Sequence, residues 1–338
     1  MTVVAGVDSS TQSCTVALYE SASGTFLGTG TARHPSTTPP VSEQNGDDWW
    51  RAFQLSLGRA CENAGISSHE IRGISVAAQY HGLVALDEND ELVRPVKLWN
   101  DTTSNPQAAE LVRQKPQGWW AREVGSTPTA AFTITKVAWL AENEPANFRK
   151  TRTVLMPHDW LTFRLTGRKV TDRVDASGTG YFDAARESWR YDILAEVDDT
   201  IDWHELLPEV LGPDEPAGRA ETQAARELGL LPDTVVACGT GDQAAAALAL
   251  GLDGTGAAIS LGTSGTVITS STRAVYDPAG EINVTANAQG GFQPIAVLLN
   301  AAKVTDTFAR ILGVDHLELS NLALASQPGS AGLPTLVA

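Results

Sequence analysis

Two aspartates stand where apolar stretches end. Asp8 follows Val4-Ala5-Gly6-Val7 and opens a turn of small polar residues, Ser9 to Ser13. Asp242 follows Val235-Val236-Ala237 and the link Cys238-Gly239-Thr240-Gly241, just ahead of an Ala-rich stretch from Gln243 to Leu250. A carboxylate beyond the end of a parallel strand faces the crevice where α/β proteins take their ligands. Asp242 in that place can accept the proton of a substrate hydroxyl that attacks a phosphoryl group. Asp8 can hold a divalent cation beside phosphates. Each has a plainer alternative: Asp242 as N-cap of the Ala-rich helix, and Asp8 as the side chain that closes its own turn.

The surroundings of Asp8 occur twice. Val4-Ala5-Gly6-Val7 runs through Thr11, Gln12 and Ser13 into Val16-Ala17-Leu18, and Ala257-Ala258-Ile259-Ser260-Leu261 runs through Gly262, Thr263, Ser264 and Gly265 into Val267-Ile268. Each copy predicts a β-hairpin with a small-residue turn. Such turns expose backbone N–H groups and hydroxyls that receive anions. Two of them across a cleft suit a nucleotide's phosphate chain. Further polar groups break apolar runs. Gln79-Tyr80-His81-Gly82 interrupts Ile74 to Leu86, and Leu98-Trp99 leads into Asn100-Asp101. Amide, imidazole and aromatic groups so placed suit a polyol, although a core histidine and a surface turn account for either stretch taken alone.

Other chemistries fit less well. Gly239-Thr240-Gly241-Asp242-Gln243-Ala244 has the G-x-G-x-x-A form of a dinucleotide loop, but no acid follows at the end of the next strand, where Ile259-Ser260-Leu261 stands. Asp242 would also oppose a pyrophosphate at the helix N-terminus. Gly262-Thr263-Ser264-Gly265-Thr266 lacks the spacing of G-x-S-x-G, and His204-Glu205-Leu206-Leu207-Pro208 is not H-E-x-x-H.

The elements that must carry these groups follow from periodicity. Residues 3–8, 13–20 and 25–31 read as successive strands, and 35–46 as a loop. Asp47 to Ala64 reads as a helix with Trp50, Phe53, Leu57, Ala60, Cys61 and Ala64 on one face and Asp47-Asp48 at its positive end. Arg72 to Ala78, Leu83 to Leu86 and Val235 to Ala237 are further strands. Pro106 to Arg113, Ile134 to Glu142 and His158 to Leu165 are further helices. Strand triplets followed by alternating helices and strands indicate the α/β class.

The 338 residues are enough for two domains. With 42% hydrophobic and 19% charged residues, the composition is globular. Twenty-four basic against 40 acidic residues give a net charge of −16, and the basic residues are scattered, which argues against nucleic acid as a partner. Three separated cysteines, Cys14, Cys61 and Cys238, indicate a reducing, cytoplasmic setting and no zinc site. The start shows no signal peptide. Ala244 to Leu252, the most apolar run, is too short to span a bilayer, so no membrane partner is expected.

Six stretches in order resemble the FGGY family of carbohydrate kinases over residues 3 to about 310. They are Gln79-Tyr80-His81-Gly82-Leu83-Val84, Leu98-Trp99-Asn100-Asp101-Thr102, Met156-Pro157-His158-Asp159-Trp160-Leu161, Asp175-Ala176-Ser177-Gly178-Thr179, Gly241-Asp242-Gln243-Ala244-Ala245 and Ser260-Leu261-Gly262-Thr263-Ser264-Gly265. The resemblance implies an actin-like ATPase fold of two ribonuclease-H-like domains, with ATP and Mg²⁺ in the cleft and the sugar mainly on the first. It implies ATP-dependent phosphorylation of a ketopentose, D-xylulose to D-xylulose 5-phosphate. Alternatives within the resemblance are a kinase of ribulose, a polyol or gluconate, or a catalytically incomplete sugar-binding fragment. By position, Asp242 resembles the family's general base and Asp8 its metal-organising aspartate. Tyr80-His81 resemble the ketose-binding pair, with Gln79, Asn100, Asp101 and Gln243 as further sugar contacts. Thr11, Gln12 and Ser13 resemble one phosphate loop, and Gly262, Thr263 and Ser264 the other.

Three positions depart from the family's pattern. Ser10 replaces a glycine, Thr15 a basic residue and Tyr80 a methionine. The family's later Gly-rich adenosine motif has no counterpart after Pro328-Gly329-Ser330. The expected domains are therefore residues 1–245, an N-terminal sugar-binding domain, and 254–338, a partial C-terminal nucleotide-binding domain. Sugar and ATP are the expected partners, and a homodimer is compatible with the resemblance.

Overall fold

The computed structural model describes residues 2–262, 265–298 and 301–329. Its first sheet begins as a meander of β1 (Val3–Ser9), β2 (Ser13–Glu20) and β3 (Phe26–Arg33). Helix α1 (Gly46–Ala64) crosses it and leads to β4 (Ile71–Ala78), which lies parallel to β1. Three further elements belong to the layer behind the site: α2 (Thr133–Asn143), α3 (Pro157–Thr166) and the short α4 (Arg173–Ser177). The chain then returns through β5 (Pro216–Arg219), β6 (Val235–Ala237) and β7 (Thr240–Gly241) into α5 (Asp242–Ala249). The sheet order is β5-β6-β4-β1-β2-β3, with β7 continuing alongside β4. Strands β4, β6 and β7 run parallel to β1.

Alternation decides which face of β1 meets the core. Val3, Ala5 and Val7 are buried and Asp8 is exposed. In β2, Cys14, Val16 and Leu18 are buried on the same side. These residues pack with Trp49, Trp50, Phe53, Leu57 and Ala60 of α1 in one cluster. Burying each large side chain contributes about 1.5–3 kcal/mol. The predicted helical face is therefore the buried one, and Trp49, which the predicted face omitted, joins it because its indole N–H donates to Gln44 (2.7 Å). Helix and sheet approach closely at Gly30, where a Cβ would stand 2.2 Å from the Ser56 carbonyl. Asp8 is left on the opposite, open face.

A second sheet contains β8 (Ala257–Leu261), β9 (Gly265–Thr269), β10 (Ile282–Ala286) and β11 (Phe292–Leu298), all antiparallel in the order β8-β9-β11-β10. The second predicted hairpin thus forms, with Leu261 opposite Gly265. Strands β10 and β11, and the helices Ala302–Leu312 and His316–Ala325 that follow, are additions to the elements expected from the sequence. Strand β10 docks on the first unit. The Val284 amide donates to the Gly125 carbonyl (2.9 Å) and the Ala286 amide to the Ser177 hydroxyl (2.9 Å). Gly125 has φ +81°, and a Cβ there would lie 2.1 Å from the Val284 carbonyl. Ala247 of α5 packs with Ile268 and Ile295 of the second sheet.

The three cysteines are free and buried, and burial pushes the Cys14 thiol up to about 12. Among the described residues no helix is long and apolar enough to cross a membrane.

Candidate active site

Strands β1, β4 and β7 deliver the candidate residues to one edge. Ala77 of β4 pairs with Asp8 on one side and with Thr240 on the other; Ala78 pairs with Ser9 and Gly241. Two inter-strand spacings therefore separate Asp8 from the segment that enters Asp242, about 10 Å. That gap admits a phosphoryl group and the hydroxyl it joins.

Asp242 is the first residue of α5, and Gly241 takes the N-cap position without any side-chain cap. The simple N-cap alternative is thereby removed. Asp242 Oδ1 accepts from the Gln243 amide (2.7 Å). Burial, with the charges of Asp175 and Asp8 adding to it, raises the carboxyl to about 7 against that hydrogen bond. A carboxylate poised near neutral pH suits a general base. Burial raises Asp8 as well. Its carboxylate makes no hydrogen bond or ion pair among the described residues. Thr15 stands directly opposite Asp8 on the same face, its hydroxyl 3.0 Å from that of Thr31. The residue that replaces the family's cation is thus beside Asp8.

The turn after β1 is held from below. Gln44 donates to the carbonyls of Thr11 (3.0 Å) and Pro35 (2.7 Å), and Trp99 donates through its indole N–H to the Thr11 hydroxyl (2.9 Å). Gln12 is exposed and Ser13 half-buried. On the second hairpin Gly262 is exposed and its carbonyl accepts from the Ala302 amide (2.8 Å). Thr263 and Ser264 lie outside the described residues.

The expected sugar contacts divide into two groups. His81 has φ +64°, unusual for a side chain of its size. Its Nδ1 lies 2.5 Å from the Gly178 carbonyl, which only accepts, so Nδ1 carries the hydrogen and Nε2 keeps a lone pair. Burial lowers the ring to about 3, which keeps it neutral. Asn100 is half-buried, and its Oδ1 is buried without a hydrogen-bond partner among the described residues. A ligand hydroxyl would satisfy it. Gln243 is exposed beside Asp242.

Three other expected sugar contacts make polar bonds within the protein. Tyr80 donates its hydroxyl to the Val174 carbonyl (2.5 Å). Its ring fills the space against Gly178 and Gly241, where a Cβ would come within 2.5 and 2.7 Å of it. Gln79 is 1% exposed and reaches Gln44 at 3.5 Å. Asp101 is fully buried: it accepts from the Ser42 amide (2.8 Å), the Thr103 amide (3.0 Å) and the Thr103 hydroxyl, and pairs with Lys97 (3.1 Å). The bonds from Thr103 and Ser42 and the charge of Lys97 hold its carboxyl below the usual range in spite of burial.

Sequence reasoning quoted the stretches around His158 and Asp175 without giving them a role. In the structure they form a buried cluster. His158 Nδ1 lies 2.6 Å from Asp175 Oδ2, and Nε2 lies 3.2 Å from Asp159 Oδ1. Asp172 caps α4 through the Asp175 amide (2.8 Å) and accepts from the Thr240 hydroxyl (2.7 Å). Only the residue types were visible beforehand; the 68 positions from Asp172 to Thr240 hid that contact.

Residues 3–249 match the profile of the N-terminal domain of the FGGY family of carbohydrate kinases. A xylulose kinase of Streptomyces rubiginosus is 43% identical over 315 residues, which cover 93% of this chain and 64% of that protein. A xylulose kinase of Streptomyces coelicolor is 42% identical over the same shares. The chain thus spans about two-thirds of the length of these relatives. The crystal structure of xylulose kinase from Bifidobacterium adolescentis is 36% identical, with a TM-score of 0.87 over 97% of this chain and 71% of that one. Together with the profile match over most of its length, these similarities show that the chain belongs to the FGGY family of carbohydrate kinases.

Proposed function

We propose that this chain carries the sugar-binding and catalytic side of an ATP-dependent ketopentose kinase that converts D-xylulose to D-xylulose 5-phosphate. One observation carries the reading: Asp242 stands one residue beyond β7 with its carboxyl raised to about 7, two strands from Asp8. The sugar's terminal hydroxyl gives its proton to Asp242 as its oxygen bonds the γ-phosphorus of ATP. The bond from that phosphorus to the β-phosphate oxygen breaks, and ADP leaves. Such transfer asks the protein for position, charge neutralisation and one base.

His81 Nε2 accepts from one sugar hydroxyl and Asn100 Oδ1 from another, with Gln243 beside the base. Asp8, a hard oxygen ligand with no competing partner among the described residues, would hold Mg²⁺. The ion neutralises phosphate charge when bound. The turn Thr11-Gln12-Ser13 and the turn Gly262-Thr263-Ser264 would meet the phosphates. Residues 1–245 then form the sugar-binding domain, and 254–338 belong to the nucleotide-binding one. The identities to two xylulose kinases support xylulose over other acceptors.

The test is a substrate panel with coupled ADP detection, joined to calorimetry. Faster turnover of D-xylulose than of D-ribulose, polyols or gluconate is expected. Equal rates for xylulose and ribulose would refute the assignment of the sugar. Sugar binding with no ATP–Mg²⁺ binding would make the chain a sugar-binding unit and refute the kinase reading for it.

A further inference from the structure

The three residues before Asp242 each touch a different member of the buried cluster. Gly239 has φ +85° and lies against the imidazole, so that a Cβ would stand 2.8 Å from His158 Cδ2. Thr240 donates its hydroxyl to Asp172 Oδ2 at 2.7 Å. Gly241 lies against Asp175, where a Cβ would stand 2.8 Å from Oδ1. Asp242 comes next. His158, Asp159 and Asp175 are at most 1% exposed, and Asp172 is 7% exposed. None of these four groups touches the reacting atoms in the proposed chemistry, although the charge of Asp175 adds to the raised carboxyl of Asp242.

Both ring nitrogens of His158 face carboxylates, Asp175 on one side and Asp159 on the other. The imidazolium pairs with both: Nδ1 is hydrogen-bonded to Asp175, and Nε2 lies 3.2 Å from Asp159 Oδ1 as an ion pair without hydrogen-bond geometry. Its charge offsets buried carboxylates that would otherwise repel one another. The short His158–Asp175 bond occupies lone pairs that a metal ion would need, so the cluster is a network of ion pairs and hydrogen bonds. It holds two ends of the site at once. Asp172 caps α4, and that helix and the residue after it offer the carbonyls of Val174 and Gly178 to Tyr80 and His81.

We propose that the cluster of His158, Asp172 and Asp175 is a clamp that positions Asp242: it fixes Gly239, Thr240 and Gly241 from behind and thereby sets where the base's carboxylate sits. These are positioning residues, and the inference rests on the reading of Asp242 as the base.

Thr240 gives the cleanest test. Thr240→Val keeps the shape and removes the donor to Asp172, whereas Thr240→Ser keeps the donor. Displacement of a reacting group by an ångström costs on the order of 10²-fold. Thr240→Val is expected to lower kcat at least about tenfold while KM for D-xylulose changes less than about threefold, and Thr240→Ser to restore kcat. Backbone amide resonances from Gly239 to Gln243 are expected to move in the valine variant and return in the serine one. Leu194→Ala, in a separate core cluster, serves as the control for lost stability and should leave these amides unmoved. If Thr240→Val does not fold, Thr240→Ala, which removes the same donor, takes its place with the same expected pattern. Wild-type kcat with unmoved amides in a folded clamp variant would overturn the proposal. If the unsubstituted chain shows no kinase activity, that reading fails separately, and the amide shifts still decide the clamp: moved supports it, unmoved overturns it.

Discussion

Asp242→Asn should make the protein more stable, and only at the higher pH values. Burial and the neighbouring Asp175 and Asp8 raise this carboxyl from 3.8 to about 7. The fold therefore disfavours its ionised form. The sign follows from that direction. Below about 4 the group is protonated folded or unfolded and costs nothing. As pH rises from about 4 to 7 the unfolded chain ionises freely while the folded one resists, and the penalty grows. Above about 7 it is complete. Three pH units at 1.36 kcal/mol each set a ceiling of about 4 kcal/mol. Partial solvent access at the mouth of a cleft screens the charge and reduces this to about 1–2 kcal/mol. Asparagine keeps the shape and cannot ionise. Urea melts of both proteins at pH 4.5 and pH 8 measure the gap, which should be small at the lower pH and reach about 1–2 kcal/mol at the upper. A gap equal at both pH values, or an Asn variant less stable at pH 8, would refute the assigned ionisation. Stability given up at the base is the common cost of a preorganised site.

Two further outcomes follow from the geometry. Gly30→Ala places a Cβ 2.2 Å from the Ser56 carbonyl and pushes α1 off β3, so the urea midpoint should fall by the equivalent of about 1–3 kcal/mol. His81→Phe removes the Nε2 acceptor, and with it the Nδ1 bond to the Gly178 carbonyl, while keeping a ring against Phe132, so calorimetry should show sugar affinity weaker by at least about tenfold with ATP affinity unchanged.

The parts of the fold legible in the sequence are those with short periods. Alternation in Val3 to Val7 and in Cys14 to Leu18 gives both strands and their buried side. The stripe of Phe53, Leu57, Ala60 and Cys61 gives the face of α1. Asp8 and Asp242 were legible as residues that end strands, and the sheet register explains why both reach one edge. Direction of side chains was not legible. Tyr80, Gln79 and Asp101 have the right chemistry for a sugar, yet each turns into the protein because a carbonyl, an amide or an ammonium waits there. The His158 cluster was hidden for a related reason. Its contacts join positions far apart in the chain, and no local period records them. Strand β10 does alternate, Ile282-Asn283-Val284-Thr285-Ala286, but five residues are too few to stand out, and Pro294 in β11 reads against a strand, so pairing with the rest of the sheet decides their form.

The central claim is that Asp242 takes the proton in phosphoryl transfer. The most direct measurement is kcat/KM for D-xylulose with saturating ATP–Mg²⁺ from pH 5 to pH 9, for the unsubstituted protein and for Asp242→Asn. An acid limb that falls tenfold per pH unit with its midpoint near 7 is predicted. At pH 8 the asparagine variant should be slower by about 10²–10⁴. A variant that keeps more than about a tenth of the rate, or an acid limb that survives in it unchanged, would contradict the account.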